Sequence, residues 1–315
     1  MTVAPLRIVF MGTPDFAVAS LSALLQGPDR VVAIVTQPDR PRGRGKKLSP
    51  PPVKVLAAEE GIPVLQPLKI RTEEFRNELL AFAPDLVVVA AYGRILPPAL
   101  LTLAPMGCIN VHGSLLPRHR GAAPIQWAVI NGDKEVGVTI IRMDEGMDTG
   151  DILLTSAVPA DPDETAGNLF GKLADLGSRT LLEAIVRLKV NDLVAIPQDH
   201  SLATAAPMLK KEDGIIDWSL PAESLHCRIR GLDPWPAATC LIEGRRFHLF
   251  SPEVVYKDSP AAPGTLVRAE RDGLLISTGK HMLLIREIQP EGRKRMPASA
   301  FLCGHTLTAG TILAP

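Results

Sequence analysis

The chain has 315 residues, enough for about two domains, with 46% hydrophobic and 22% charged residues and 34 Lys+Arg against 34 Asp+Glu. This composition excludes a disordered chain. Zero formal charge argues against a protein that coats nucleic acid over its whole surface, but leaves room for a local basic patch. The longest apolar run, "LVVVAAY" (Leu86 to Tyr92), is far short of the roughly 18 residues of a membrane span, and "MTVAPLRIVF" lacks the charged head, apolar stretch and cleavage site of a secretory signal.

The first half alternates strand and helix patterns. "LRIVFMG" (Leu6 to Gly12) is a continuous apolar run of the kind a buried parallel strand needs. "PDFAVASLSALLQG" places apolar residues at helical spacing and stops at Gly27. "VVAIVTQ" (Val31 to Gln37) predicts the next strand, and "PPVKVLAAEEG" a short helix opened by proline and closed by Gly61. "IPVLQ" reads as a strand and "TEEFRNELLAFA" as a helix with Thr72 as N-cap. "DLVVVAAYG", "CINVHGS" and "GVTIIRMD" are three more strands, with the helix "APIQWAVINGD" between the last two. A long amphipathic helix spans about Glu164 to Leu188. Such alternation predicts an α/β fold: a Rossmann-like, doubly wound, mostly parallel sheet, whose ligands sit beyond the carboxyl ends of the strands.

Periodicity fades over 191–209, which is read as a linker between a domain at 1–190 and one at 210–315. After it come one short helix, "PAESLHCRIRG", and short strands separated by turn signals, among them Arg271-Asp272-Gly273 and Thr278-Gly279-Lys280. This pattern predicts a smaller, OB-like β-barrel domain, a shape that often binds nucleic acid. Cys108, Cys227, Cys240 and Cys303 form no CxxC pair and no zinc-ligand spacing with histidine, so they are expected as unpaired thiols in a reducing cytoplasm.

Two stretches stand out chemically. "RPRGRGKKLSPPP" (Arg40 to Pro52) concentrates Arg40, Arg42, Arg44, Lys46 and Lys47 on a backbone too rich in Gly and Pro for a helix or a central strand. On composition alone it is a solvated charge run or an anion-binding loop. In "GCINVHGSLLPRHRGAAP" (Gly107 to Pro124), strand alternation puts Asn110 and His112 on one face and Ile109 and Val111 on the other. Gly113 follows at once, so an amide and an imidazole stand together at a carboxyl strand end. That pair suits the stabilisation of an oxyanion; the alternative is a strand-end pair that merely bonds the next loop. "MDEGMDTGD" (Met143 to Asp151) offers Asp144, Glu145, Asp148 and Asp151, with two readings open for each: it orients His112, or it serves only its own turn. "MGTPDFA" sits where a dinucleotide fingerprint would, but G-x-G-x-x-G is absent and NAD binding is rejected. His119 has a poor metal spacing from His112 and is expected at the surface; His248 and His281 are expected as packing or surface residues.

These stretches, with "FMGTPDFA", "VTQPDRPRGRGKKLSPPPVK", "VVVAAYGRILP", "GVTIIRMDEGMDTGDIL" and "DWSLPAESLHCRIRGLDPWPAA", resemble the methionyl-tRNA formyltransferase family over nearly the whole chain. The N-H-S-L-L-P core is shared with all folate-dependent formyltransferases; the basic loop and the opening of the second domain are more specific to the tRNA enzymes. The resemblance implies transfer of a formyl group from 10-formyltetrahydrofolate, a cosubstrate and not a resident cofactor, to the α-amine of methionine on initiator tRNA. It implies Asn110, His112 and Asp148 as the catalytic trio. Ser114, Leu115, Leu116 and Pro117 would form the folate-binding segment. Arg40, Arg42, Arg44, Lys46 and Lys47 would form a loop entering the tRNA acceptor stem, and the second domain would bind tRNA. No metal, no membrane and a cytoplasmic monomer are expected. Two departures are visible: His119 replaces the family's usual aromatic residue, and the tail "GHTLTAGTILAP" carries no Lys or Arg, so weak tail contacts with RNA are expected.

Overall fold

The structure is a computed structural model that describes residues 4–42 and 47–314. The chain divides into two compact units, one made of Met1–Pro124, Glu135–Pro159 and Phe170–Pro207, the other of Ile125–Lys134, Ala160–Leu169 and Met208–Pro315.

The first unit is built on seven strands: β1 (Arg7–Gly12), β2 (Arg30–Val35), β5 (Val64–Leu65), β6 (Leu86–Ala90), β7 (Cys108–His112), β8 (Glu135–Arg142) and β9 (Ile152–Pro159), in the order β5-β2-β1-β6-β7-β8-β9. A separate two-stranded ribbon pairs β3 (Arg40–Arg42) with β4 (Lys47–Ser49). The first five strands of the sheet run parallel, while β8 is antiparallel to both β7 and β9. The expected mostly parallel sheet is therefore present, with an added antiparallel edge. The edge strand β9 is absent from the sequence reading: only Leu153 along it is buried, and a strand so open to solvent carries little apolar signal.

Helices α1 (Asp15–Gln26), α2 (Pro52–Glu59) and α3 (Glu73–Leu80) follow their sequence signals, while the short α4 (Pro98–Leu101) is not expected from the sequence. Proline opens α2 at its first turn. Thr72 caps α3, its hydroxyl oxygen accepting from the Phe75 N–H. On one sheet face, Val9, Met11, Val87, Val89 and Cys108 pack with Phe75, Leu79 and Leu100. On the other lies α6 (Ala166–Lys189), following α5 (Pro124–Ile130) in the chain. A Cβ on Gly177 would fall 2.9 Å from Val111 Cγ1, so the missing side chain lets this helix approach the sheet. Phe170 meets Phe16 of α1 edge to face, with centroids 5.5 Å apart. Gly12, the lone glycine of the rejected dinucleotide signal, has a packing reason: a Cβ there would lie 2.6 Å from Ala17 Cβ.

The second unit carries α7 (Ala222–Gly231), strands β10 (Ala238–Ile242), β11 (Arg245–Val255), β12 (Leu266–Glu270), β13 (Gly273–Ser277), β14 (Met282–Pro290) and β15 (Met296–Pro297), and α8 (Ala298–Leu302). The strand order is β10-β11-β14-β13-β12, all antiparallel, with β15 on β14. The gap between β10 and β12 is bridged by the tail. Leu241 and Ala314 exchange backbone hydrogen bonds of 2.8 and 3.0 Å, and the Leu313 N–H donates to Gly264 O at 2.8 Å. This packing gives the tail's lack of Lys and Arg a structural reason of its own, beside the weak RNA contact expected of it.

Candidate active site

Asn110 and His112 do share one face at the carboxyl end of β7, beside β6 and β8. They are 8% and 5% exposed, polar groups set into an otherwise apolar strand. Among the described residues, no hydrogen bond holds the Asn110 amide, which leaves its N–H donors available. The imidazole is held at both ends. Its Nδ1 lies 3.5 Å from Asp148 Oδ1, and its Nε2 lies 3.0 Å from the carbonyl oxygen of His119. A carbonyl only accepts, so Nε2 carries a proton in this arrangement; a doubly protonated ring would also form an ion pair with Asp148.

Of the carboxylates left open by sequence, Asp148 is the one brought to His112. Its second oxygen accepts from the Gly121 N–H at 2.9 Å. Asp144 instead serves its own turn, accepting from the Gly146 N–H and the Thr149 hydroxyl.

His119 corrects its surface expectation. It is 2% exposed, takes φ 59°, and its backbone N–H donates to Thr204 Oγ1 at 2.8 Å. Spacing in the sequence excluded a metal role, but it could not show that a loop would fold this residue back over β7.

In Ser114 to Pro117 the side chains serve the loop. The Ser114 hydroxyl donates to Arg118 O at 2.7 Å. Thr139 of β8 donates its hydroxyl to Ser114 O at 2.7 Å and accepts from the Leu116 N–H at 3.1 Å. Leu116 is buried, and the Leu116–Pro117 peptide is cis. The loop is thereby pinned against the strand next to β7.

The two ends of the cationic stretch, Arg40–Arg42 and Lys47–Ser49, pair as the β3–β4 ribbon, in register Arg40 with Ser49, Pro41 with Leu48 and Arg42 with Lys47. Arg40 is exposed, as is the facing pair Pro41 and Leu48. Arg44 and Lys46 lie outside the described residues. The base of the ribbon is anchored by Asp39, whose carboxylate accepts from Lys54 Nζ at 2.9 Å and from Gln66 Nε2 at 2.8 Å. The Gln66 bond and the Lys54 ammonium hold the Asp39 carboxyl below its ordinary value.

Gln198 was not legible from sequence. It lies in the segment read as a linker, yet it is 6% exposed and donates to Asp148 O. Ile196, nearby, exchanges backbone bonds with Ile152 of β9. A single glutamine in "AIPQDH" has no local pattern to betray a partner so far away in the chain. Among the described residues, no three His, Cys, Asp or Glu side chains gather as metal ligands, and no helix is long and apolar enough to cross a membrane.

Residues 6–185 match the Formyl transferase family, and residues 208–306 match the formyl transferase C-terminal domain. The chain is 65% identical to the methionyl-tRNA formyltransferase of Desulfotalea psychrophila, over 98% of this chain and 95% of that one. It is 49% identical to the methionyl-tRNA formyltransferase of Geobacter sulfurreducens, over 98% and 97%. Among solved structures, the N-formyltransferase of Helicobacter canadensis in complex with folinic acid and dTDP-3-aminofucose overlays with a TM-score of 0.66, covering 92% of this chain and 100% of that one. At 16% identity that likeness shows a shared fold.

Proposed function

We propose, for a chain that belongs to the methionyl-tRNA formyltransferases and moves the formyl group of 10-formyltetrahydrofolate to the α-amine of methionine on initiator tRNA, a reaction centre made of Asn110, His112 and Asp148. The observation that carries it is the meeting, on the same strand end, of one imidazole and one amide that has no hydrogen-bond partner among the described residues, with a carboxylate 3.5 Å from the ring.

The chemistry follows from what each group donates. The α-amine nitrogen bonds the formyl carbon, and the carbonyl electrons move onto oxygen. The Asn110 N–H and the His112 Nε2–H stabilise that oxyanion. In the free protein Nε2–H is held by His119 O, so the bound formyl oxygen must share or displace that carbonyl. Asp148 holds Nδ1 and fixes the ring. When the tetrahedral species collapses, the bond to N10 of the folate breaks, N10 takes a proton, and the amine gives one up toward Asp148 through solvent.

We further read Ser114, Leu115, Leu116 and Pro117 as the folate-binding segment, a turn whose shape is set by Thr139. Arg40, Arg42, Arg44, Lys46 and Lys47 are read as the tRNA-binding loop. An RNA stem gives such a cluster its purpose, because phosphates attract the side chains and the glycines let the backbone follow the stem. Residues 1–190 are the catalytic domain, 191–209 the connection and 210–315 the tRNA-binding barrel, in a cytoplasmic monomer. The test is formyl transfer by purified protein to charged initiator tRNA, to small amines such as an amino sugar nucleotide, and with no acceptor. Transfer to the charged tRNA alone is expected. Equal use of small amines would overturn the assignment of the basic loop.

A further inference from the structure

Asp148 is a non-glycine residue at φ 55°, a backbone conformation that its surroundings must impose. Gln198 is the side chain that bridges this turn. Its amide nitrogen donates to Asp148 O at 2.9 Å and to Gly150 O at 2.7 Å, so both of its protons are used on the main chain of the turn. Its Oε1 accepts from Arg120 Nε at 3.1 Å and Nη2 at 2.6 Å. Arg120 adjoins Gly121, whose N–H donates to Asp148 Oδ2 at 2.9 Å. Arg120 is itself fixed by the segment that carries Gln198: its N–H donates to Thr204 O at 2.8 Å, and its carbonyl accepts from the Ala206 N–H at 2.7 Å. The Asp148 backbone and the Asp148 carboxylate are thus tied to one frame, through Gln198 and through the Arg120–Gly121 step.

We propose that Gln198 is a positioning residue for formyl transfer, acting through Asp148 by holding its turn so that the carboxylate meets His112. This rests on the reading of Asp148 given above. Without the Gln198 amide, two carbonyl oxygens in a closed site lose their donors. The turn is then free to relax from its positive φ, and the carboxylate moves with it. Geometric errors of about 1 Å in such constellations cost on the order of 100-fold in rate.

The experiment uses full-length protein and steady-state formyl transfer to charged initiator tRNA. Gln198→Glu keeps the side chain's length and its acceptor for Arg120, but turns an oxygen instead of an N–H toward the two carbonyls. The expected result is a kcat lower by roughly 10- to 100-fold, with KM for 10-formyltetrahydrofolate and for charged tRNA nearly unchanged. In an Asp148→Asn background the same substitution is expected to add little further loss. Wild-type kcat in Gln198→Glu, or an undiminished further loss on top of Asp148→Asn, would overturn the inference. Wild-type kcat in Asp148→Asn alone would overturn the reading of Asp148 itself, and this inference with it. Should Gln198→Glu lose the folded circular-dichroism signal, Gln198→Met, close in volume and uncharged, is the second variant and is held to the same split.

Discussion

Leu313 and Gly264 face each other across the seam of the second unit, the Leu313 N–H donating to Gly264 O at 2.8 Å. A Cβ on Gly264 would fall 3.2 Å from Leu313 O, and its φ is +82°. The approach of tail to barrel therefore depends on a residue without a side chain at that point. Leu313 itself is 2% exposed, so the tail contributes a core residue as well as a strand edge. Leu313→Ala should lower unfolding stability by about 2–5 kcal/mol, read as a lower denaturant midpoint. An unchanged midpoint would show that the tail is not part of the folded barrel.

Asn110→Ala should lower kcat by roughly 10²–10³-fold, the loss expected for one oxyanion donor. His112→Ala should lower it at least as far. Circular dichroism should show both variants folded, and a doubly substituted protein with near wild-type turnover would refute the reaction centre.

On the proposed reading of Arg40 to Lys47 as an RNA-binding segment, Arg44→Ala and Arg40→Ala should raise KM for charged tRNA while leaving KM for 10-formyltetrahydrofolate unchanged. Each lost phosphate contact should also flatten the dependence of log affinity on log salt concentration by about 0.7–0.9. Parallel losses for both substrates would point to a folding defect and remove the case for RNA contact.

Glu287 supplies a pH dependence of stability. The Ser251 hydroxyl donates to it at 2.7 Å and the Arg295 guanidinium adjoins it, which hold its carboxyl below the ordinary value of 4.5. A depressed native value means the folded state favours the charged form. The stabilisation is complete above the unfolded value and is lost as pH falls through the native one. As pH falls below the ordinary value of 4.5, wild-type Tm should fall more steeply than that of Glu287→Gln; identical slopes would dismiss the contribution.

The thiols should separate by reactivity. Burial pushes Cys108 and Cys240 up to about 12, whereas Cys303 is exposed. A thiol-reactive dye at neutral pH should label Cys303 first, and Cys108 and Cys240 only on unfolding. Loss of the fast phase in Cys303→Ser checks the assignment.

The sequence alone determined whatever is written in local period or local chemistry. Continuous apolar runs placed β1, β2 and β6, Thr72 placed the start of α3, and strand alternation in β7 put Asn110 beside His112. The basic segment was equally plain, because charge, glycine and proline are properties of composition. Tertiary structure decided the rest. It chose Asp148 from four carboxylates, because only that one is carried to the imidazole by the turn after β8. It turned His119 inward, joined β9 to the sheet as a half-exposed edge, brought Gln198 to the turn of Asp148, and closed the barrel with the tail. Apart from the pairing of β9 with its neighbour β8, each of these is a contact between segments distant in the chain, set by where the loops return over the sheet ends. No periodicity within either segment encodes such a meeting.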